Sequence, residues 1–178
     1  MRMTHPQDLS ALPIRDPASG HVFAVIETPR GSRNKYGYDP ELGVFKLNAV
    51  LPLGTVFPYD FGFIPSTKAE DGDALDVMLL LDEPTPVGTL VNVRIIGAIA
   101  AEQRERDGKW LRNDRLVAVA SKAHLHSEID NLQDLNPRLL EEIEAFFKQY
   151  NELSGKEFRV LERTGSEAAL ELIRAASQ

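Results

Sequence analysis

The apolar residues of this chain fall in short, separated runs. Val22-Phe23-Ala24-Val25-Ile26 stops at Glu27-Thr28-Pro29, and Val44 to Leu47 follows the turn-forming stretch Tyr38 to Gly43. Val77 to Leu81, Leu90 to Ile99 and Leu116 to Ala120 come later, each bounded by Gly, Pro, Asn or Asp. Runs of this length with no helix between them predict at least five strands in an antiparallel barrel or sandwich, not a parallel α/β sheet. Helical periodicity comes late. Asn136-Pro137 supplies an N-cap and a first-turn proline, and Leu139, Leu140, Ile143, Phe146, Phe147 and Tyr150 then share one face, predicting a helix over 136–150. Ala169, Leu170, Leu172 and Ile173 predict a second amphipathic helix over 166–176. Residues 1–20, rich in Pro, Asp and Ser, read as a surface arm of a single domain spanning 1–178. The expectation is a mainly β fold with flanking helices.

Asp71-Gly72-Asp73-Ala74-Leu75-Asp76 puts three carboxylates into six residues, directly before a buried run. Like charges this close repel, and a fold that gathers them usually does so around a cation. If residues 71–73 are extended, Asp71 and Asp73 point to one side and Asp76 joins them from the next strand. An EF-hand is excluded, because Leu75, Asp76 and Asp82 occupy the fifth, sixth and twelfth positions. An acidic, solvated turn fits the same spacing. Glu27 ends its strand where the alternation Phe23, Val25, Glu27 turns its carboxylate toward the barrel interior, a costly place without a cation. Lys35, after Arg30 to Asn34, is a candidate partner for an anion. Taken singly, Glu27 and Lys35 also read as ordinary surface residues. His124-Leu125-His126 reads as a surface pair and Trp110, beside Asp107-Gly108, as a hairpin tip.

Composition narrows the chemistry. A chain of 178 residues, 43% hydrophobic and 26% charged, has enough apolar content for a full core. With no Cys, a metal would be held by oxygen or imidazole, which favours Mg²⁺, Mn²⁺ or Ca²⁺ over zinc. The net charge of -7 disfavours nucleic acid, whose recognition needs a basic face. No apolar run approaches the roughly 18 residues of a membrane helix, and Met1 to Pro6 contain no apolar signal region, so a cytoplasmic protein with no membrane partner is expected. The P-loop, the dinucleotide glycine motif, the nucleophile elbow and the zincin motif are all missing.

In order along the chain, a set of motifs resembles the soluble family I inorganic pyrophosphatases. They are Ile26-Glu27-Thr28-Pro29, Asn34-Lys35-Tyr36, Phe57 to Pro65, Asp71 to Asp76, Asn113 to Val119, and Phe146 to Tyr150. The resemblance implies a five-stranded OB-like closed barrel with C-terminal helices, and a mouth that takes several Mg²⁺ ions and pyrophosphate. It implies Asp71 and Asp76 as metal ligands, Asp73 as general base, and Glu27 as a metal ligand or water-orienting group. Lys35, Arg115 and Tyr150 become phosphate contacts, and Asp114 a further metal ligand after a one-residue register change. It also implies a homo-oligomer. The implied reaction is Mg²⁺-dependent hydrolysis of pyrophosphate to two phosphates. A phosphohydrolase acting on another phosphoanhydride, and a catalytically silent binding module, are the alternatives.

The departures from the family pattern fall mostly on the phosphate side. Gly37 stands where the family has Glu, Asn48 or Ala49 where it has Arg, and Asn151 where it has Lys. Phe61 and Phe63 replace tyrosines. A second acidic pair is thinned to Glu102 or Gln103 and Asn113-Asp114, while Arg115 keeps the positive charge of a lysine.

Overall fold

Each of the apolar runs becomes a strand, and four further strands complete the sheets. The computed structural model describes residues 8–178. The strands are β1 (Val22–Thr28), β2 (Asn34–Asp39), β3 (Val44–Val50), β4 (Asp60–Phe63), β5 (Asp76–Leu80), β6 (Leu90–Arg104), β7 (Trp110–Arg112), β8 (Arg115–Ala120) and β9 (Glu157–Gly165). Helix α1 (Pro137–Leu153) precedes β9 and α2 (Ser166–Ala176) follows it.

Five strands close a ring: β1 pairs with β4, β4 with β5, β5 with β8, β8 with β6, and β6 returns to β1. The ring is the expected barrel with one difference, since β5 and β8 run parallel. After β5 the chain runs along the 15-residue β6 and turns through β7 before re-entering beside β5 in the same direction. β2 and β3 stand apart as a two-stranded sheet.

Both faces of the ring are covered, which explains why β5 and β8 are continuously apolar instead of alternating. Val77 and Leu79 join Val22, Ala24, Ile26 and Ala98 in a cluster that includes Ala169 and Ile173 of α2. Met78 and Leu80 join Ile96, Val117 and Val119 in another, closed by Leu140, Ile143 and Phe147 of α1. The N-cap of α1 is built from the sequence itself: the Asn136 side chain accepts the Arg138 N–H at 3.0 Å, and Pro137 needs no partner at the first position. The helix continues past the predicted end, and that extra turn places residues 150–153 beside the ring.

Of the predicted arm, residues 8–20 form a short 3-10 turn at Leu9–Ala11 and a bridge from Arg15 to Val22. The Leu9 N–H donates to the Tyr38 hydroxyl at 3.0 Å, tying this segment to β2. Met1 to Gln7, on which the signal-region reading rests, lie outside the described residues. Among the described residues no helix is long and apolar enough to cross a membrane.

Candidate active site

A cavity of about 610 Å³ opens where the ring, the β2–β3 sheet and the C-terminal end of α1 meet. Glu27 of β1, Lys35 of β2, Asp71 and Asp73 of the loop before β5, Asp76 of β5, Arg115 of β8 and Tyr150 of α1 all line it. Of the site residues that the family resemblance implies, Asp114 alone does not.

The acidic wall is made by a turn, not by the extended segment expected. The Ala69 N–H donates to the Asp73 carbonyl at 2.7 Å and the Gly72 N–H to the Ala69 carbonyl at 3.0 Å. Gly72 has a φ of 92°, the left-handed region that favours glycine. Asp71 Oδ1 accepts the Asp73 N–H at 3.1 Å, a side-chain turn that competes with strand pairing. Asp76 is fixed differently, as the first residue of β5 in the ladders to β4 and β8. Glu27 faces the cavity and not the apolar interior: alternation along β1 gives Val22, Ala24 and Ile26 to the core and turns Glu27 the other way. Its Oε1 accepts the Tyr38 N–H at 2.8 Å.

Three of these acids, Glu27, Asp71 and Asp76, are held against ionisation. Burial pushes the Glu27 carboxyl up to about 7, with Asp76 and Asp73 adding to the rise and the Tyr38 N–H and Lys35 opposing it. Burial also raises Asp71, and it raises Asp76 against the pull of Arg115 and Lys35. Oxygen donors of this kind, with no imidazole among the lining residues, suit a hard divalent cation, which would stabilise every ionised form at once. Among the described residues no three such side chains converge tightly enough to enclose an ion. The donor set fits a hard divalent cation that keeps water or phosphate oxygens among its ligands.

The other side of the cavity is cationic. Arg115 Nη1 lies 2.6 Å from Asp76 Oδ2 and also donates to Asn113 Oδ1. The guanidinium is packed against the rings of Phe61, Phe147 and Phe158, with centroids at 5.9, 5.4 and 5.8 Å. Its Nε is buried with no hydrogen-bond partner among the described residues. Lys35 Nζ sits 5.2 Å from the centroid of the Tyr150 ring. Burial works to lower the lysine pKa, but Tyr150 and Asp76 outweigh it and leave the group above its ordinary value. Tyr150 in turn stacks on Phe146 at 5.9 Å and meets Phe57 at 5.7 Å, so its ring is held from two elements.

Asp114 needs correction. Its Oδ1 accepts the Ala101 N–H at 3.0 Å and Arg112 Nε at 2.7 Å, and its side chain is 5% exposed, so the carboxylate ties β8 to the neighbouring strands instead of facing the cavity. In the two-residue link between β7 and β8, Asn113 lines the cavity as Arg115 does, while Asp114 is held away by its bonds to Ala101 and Arg112. Asn113 Nδ2 donates to Gln103 Oε1, and Gln103 Nε2 to Glu105 Oε1. Amides thus occupy the wall where the family resemblance puts a second pair of acids.

Other lining residues carried no signal in spacing. Lys156, beyond α1, lines the cavity while paired with Glu105 Oε2 at 3.0 Å. Asn151 is buried and donates its amide to the Phe147 carbonyl at 2.8 Å. His124 belongs to a surface turn whose N–H groups, with that of Leu125, bond Asp82, and neither it nor His126 reaches the cavity. Trp110 opens β7 just after the turn and lies under Arg159, 4.4 Å from its guanidinium.

Known proteins similar to this chain point to one family. The model of the inorganic pyrophosphatase family matches residues 24–178. The inorganic pyrophosphatase of Thermus thermophilus is 40% identical over 171 residues, covering 94% of this chain and 95% of that protein. That of Synechocystis is 36% identical over 166 residues, covering 93% and 95%. The crystal structure of the inorganic pyrophosphatase from Thermus thermophilus matches with a TM-score of 0.86 at 39% identity, over 95% of this chain and 96% of that one. That of an inorganic pyrophosphatase from Neisseria gonorrhoeae matches with a TM-score of 0.82 at 29% identity, over 93% and 94%.

Proposed function

The chain belongs to the inorganic pyrophosphatase family, and from that premise we propose how its cavity serves the reaction. The protein is a metal-dependent enzyme that hydrolyses inorganic pyrophosphate to two phosphates. What carries the assignment of roles is the union, in one cavity, of four carboxylates with Lys35, Arg115 and Tyr150.

Asp71, Asp76 and Glu27 would hold the divalent cation, which we take to be Mg²⁺ because the donors are all oxygen. When bound, such a cation lowers the pKa of water and neutralises charge on the transferring phosphoryl group. Asp73, exposed at the turn beside Gly72, takes the proton of the attacking water at a carboxylate oxygen. Lys35, Arg115 and Tyr150 hold phosphoryl oxygens. Arg115 is already clamped by Asp76, Asn113 and three rings, so little side-chain freedom is lost when substrate arrives. Attack at one phosphorus breaks its bond to the bridging oxygen, and the second phosphate leaves with that oxygen.

The test is phosphate release by the purified protein with and without Mg²⁺, beside Asp73→Asn. We expect metal-dependent turnover that falls by at least about a hundredfold in the variant, the range for a lost general base, at unchanged thermal stability. Wild-type turnover in Asp73→Asn would remove Asp73 from that role.

Assembly and location complete the proposal. Leu42, Val44, Leu47, Val50, Leu53 and Val56 are all exposed on the β2–β3 sheet and the loop after it, with Leu53 at 85%. A two-stranded sheet is marginal in water by itself, which supports packing of this surface against a second copy of the chain. Light scattering should then give a mass well above 19.8 kDa, and a monomer at micromolar concentration would refute it. A cytoplasmic location is supported by the absence of Cys, and cell fractionation decides it.

A further inference from the structure

Gly37 and Asn48 interlock in the cavity wall. Both line the cavity, from neighbouring strands. Lys35 faces Ala49 and Tyr36 faces Leu47, so Asn48 is the extra residue of a bulge in β3. Bulges of this kind re-aim a side chain. A Cβ built at Gly37 would lie 2.2 Å from Asn48 Nδ2 and 3.3 Å from its Cγ. The Asn48 amide therefore fills the space that a side chain at position 37 would take. Gly37 does not have a positive φ, so the backbone there would accept other residues; what glycine provides is room. Asn48 is exposed to the cavity, and its amide bonds to none of the described residues. A free amide donor thus stands on the same sheet as Lys35.

We propose that Asn48 is a substrate-contacting residue, its amide donating a hydrogen bond to a phosphoryl oxygen of pyrophosphate, and that glycine at position 37 is the condition of that contact. The proposal rests on the pyrophosphatase reading. An amide offers a phosphate a donor without a charge, so Asn48 sets substrate affinity and leaves the handling of the proton to the acidic wall. A side chain at 37 would meet the far end of the Asn48 side chain and push the amide out of its seat, which is a cheap displacement for the fold. The same function would then be lost by changing either residue.

Steady-state kinetics on pyrophosphate with saturating Mg²⁺ test this, using Asn48→Ala, Gly37→Ala and the double variant. Loss of one hydrogen bond to a charged group predicts a KM raised about tenfold in each single variant with kcat nearly unchanged, and no further rise in the double variant. Asn48→Gln should recover part of the loss, and melting temperatures should stay at the wild-type value. An Asn48→Ala KM within about twofold of wild type, or single effects that multiply in the double variant, would overturn the contact or its dependence on Gly37 respectively. A fall in kcat with a lowered melting temperature would make Asn48 structural and overturn it as well. Wild-type turnover is measured in parallel, so loss of the pyrophosphatase reading and loss of the contact give different results.

Discussion

Replacing Glu27 by Gln should stabilise the metal-free protein at neutral pH, although it removes a residue of the active site. The substitution is close to isosteric. The Tyr38 N–H that now donates to Glu27 Oε1 at 2.8 Å finds an amide oxygen in the same place, so charge is the main change. In the folded chain burial holds the carboxyl proton to about 7, against 4.5 for an ordinary glutamate. A raised carboxyl pKa means that the folded state keeps a proton the unfolded chain has lost. Stability from this group is therefore greatest below pH 4.5 and declines as pH rises through about 7.

At about 1.4 kcal/mol for each tenfold change in proton affinity, the rise from 4.5 to about 7 disfavours the ionised form by about 3.5 kcal/mol at most. Partial exposure of the side chain lowers the realistic figure to about 1–2 kcal/mol. Urea denaturation in EDTA, at a series of pH values from about 5 to 8, measures it. Both proteins should lose stability over this range because Asp71 and Asp76 are raised too, but those contributions are common to both. The difference between the curves should open with pH and favour the variant at the alkaline end. Mg²⁺ should reverse the order, because it binds the folded wild type more tightly. Parallel curves in EDTA would mean that Glu27 titrates normally, and the burial argument would fail.

Two further substitutions separate structure from chemistry on β8. Asp114→Ala leaves the Ala101 N–H and Arg112 without their acceptor, so about 1–3 kcal/mol of stability should be lost in urea while kcat/KM changes little; a loss of Mg²⁺ affinity at unchanged stability would make Asp114 a ligand after all. Asn113→Asp places a carboxylate on the cavity wall beside Arg115, and calorimetry should show tighter Mg²⁺ binding; an unchanged titration would mean that position 113 does not reach the ion.

Much of this site is legible in the chain because it is local. Asp71, Asp73 and Asp76 reach one cavity within six residues, and the apolar run after them fixes where the next strand starts. The segment is a turn and not extended for a reason also written locally, since Asp-Gly is a turn signal and Asp71 accepts the Asp73 N–H. Asp114 departs from the expectation because its carboxylate is taken by the Ala101 N–H and Arg112, partners that only the folded sheet supplies. β2 has no apolar run, as its residues Asn34–Asp39 are half-buried at a cavity wall and not packed in a core. The pairing of Gly37 with Asn48 has no local signal at all. It depends on a bulge that only the register of two strands reveals.

The substitutions that set this chain apart from the family pattern make sense together more than one by one. Gly37, Gln103 and Asn113 stand where the resemblance puts acids, while Asn151 and the Asn48-Ala49 step stand where it puts bases. Losing bases alone would leave pyrophosphate facing an acidic wall. Losing acids alone would leave fewer places for cations. Removing both kinds lowers the density of charge in the cavity while keeping much of the balance that attracts an anion carried with its metal. The vacated positions are not empty: Asn48 fills the room at Gly37, Gln103 and Asn113 bond each other, and Asn151 bonds its own helix. The residual charges lining the cavity are the cations Lys35, Lys68, Arg115 and Lys156, the last paired with Glu105, and four carboxylates. Arg115 is ion-paired with Asp76, so under the proposed roles it is the point where cation binding and phosphate binding would meet. Among these cations Arg115 is the one bonded directly to Asp76, so a change at either residue should be felt by the other.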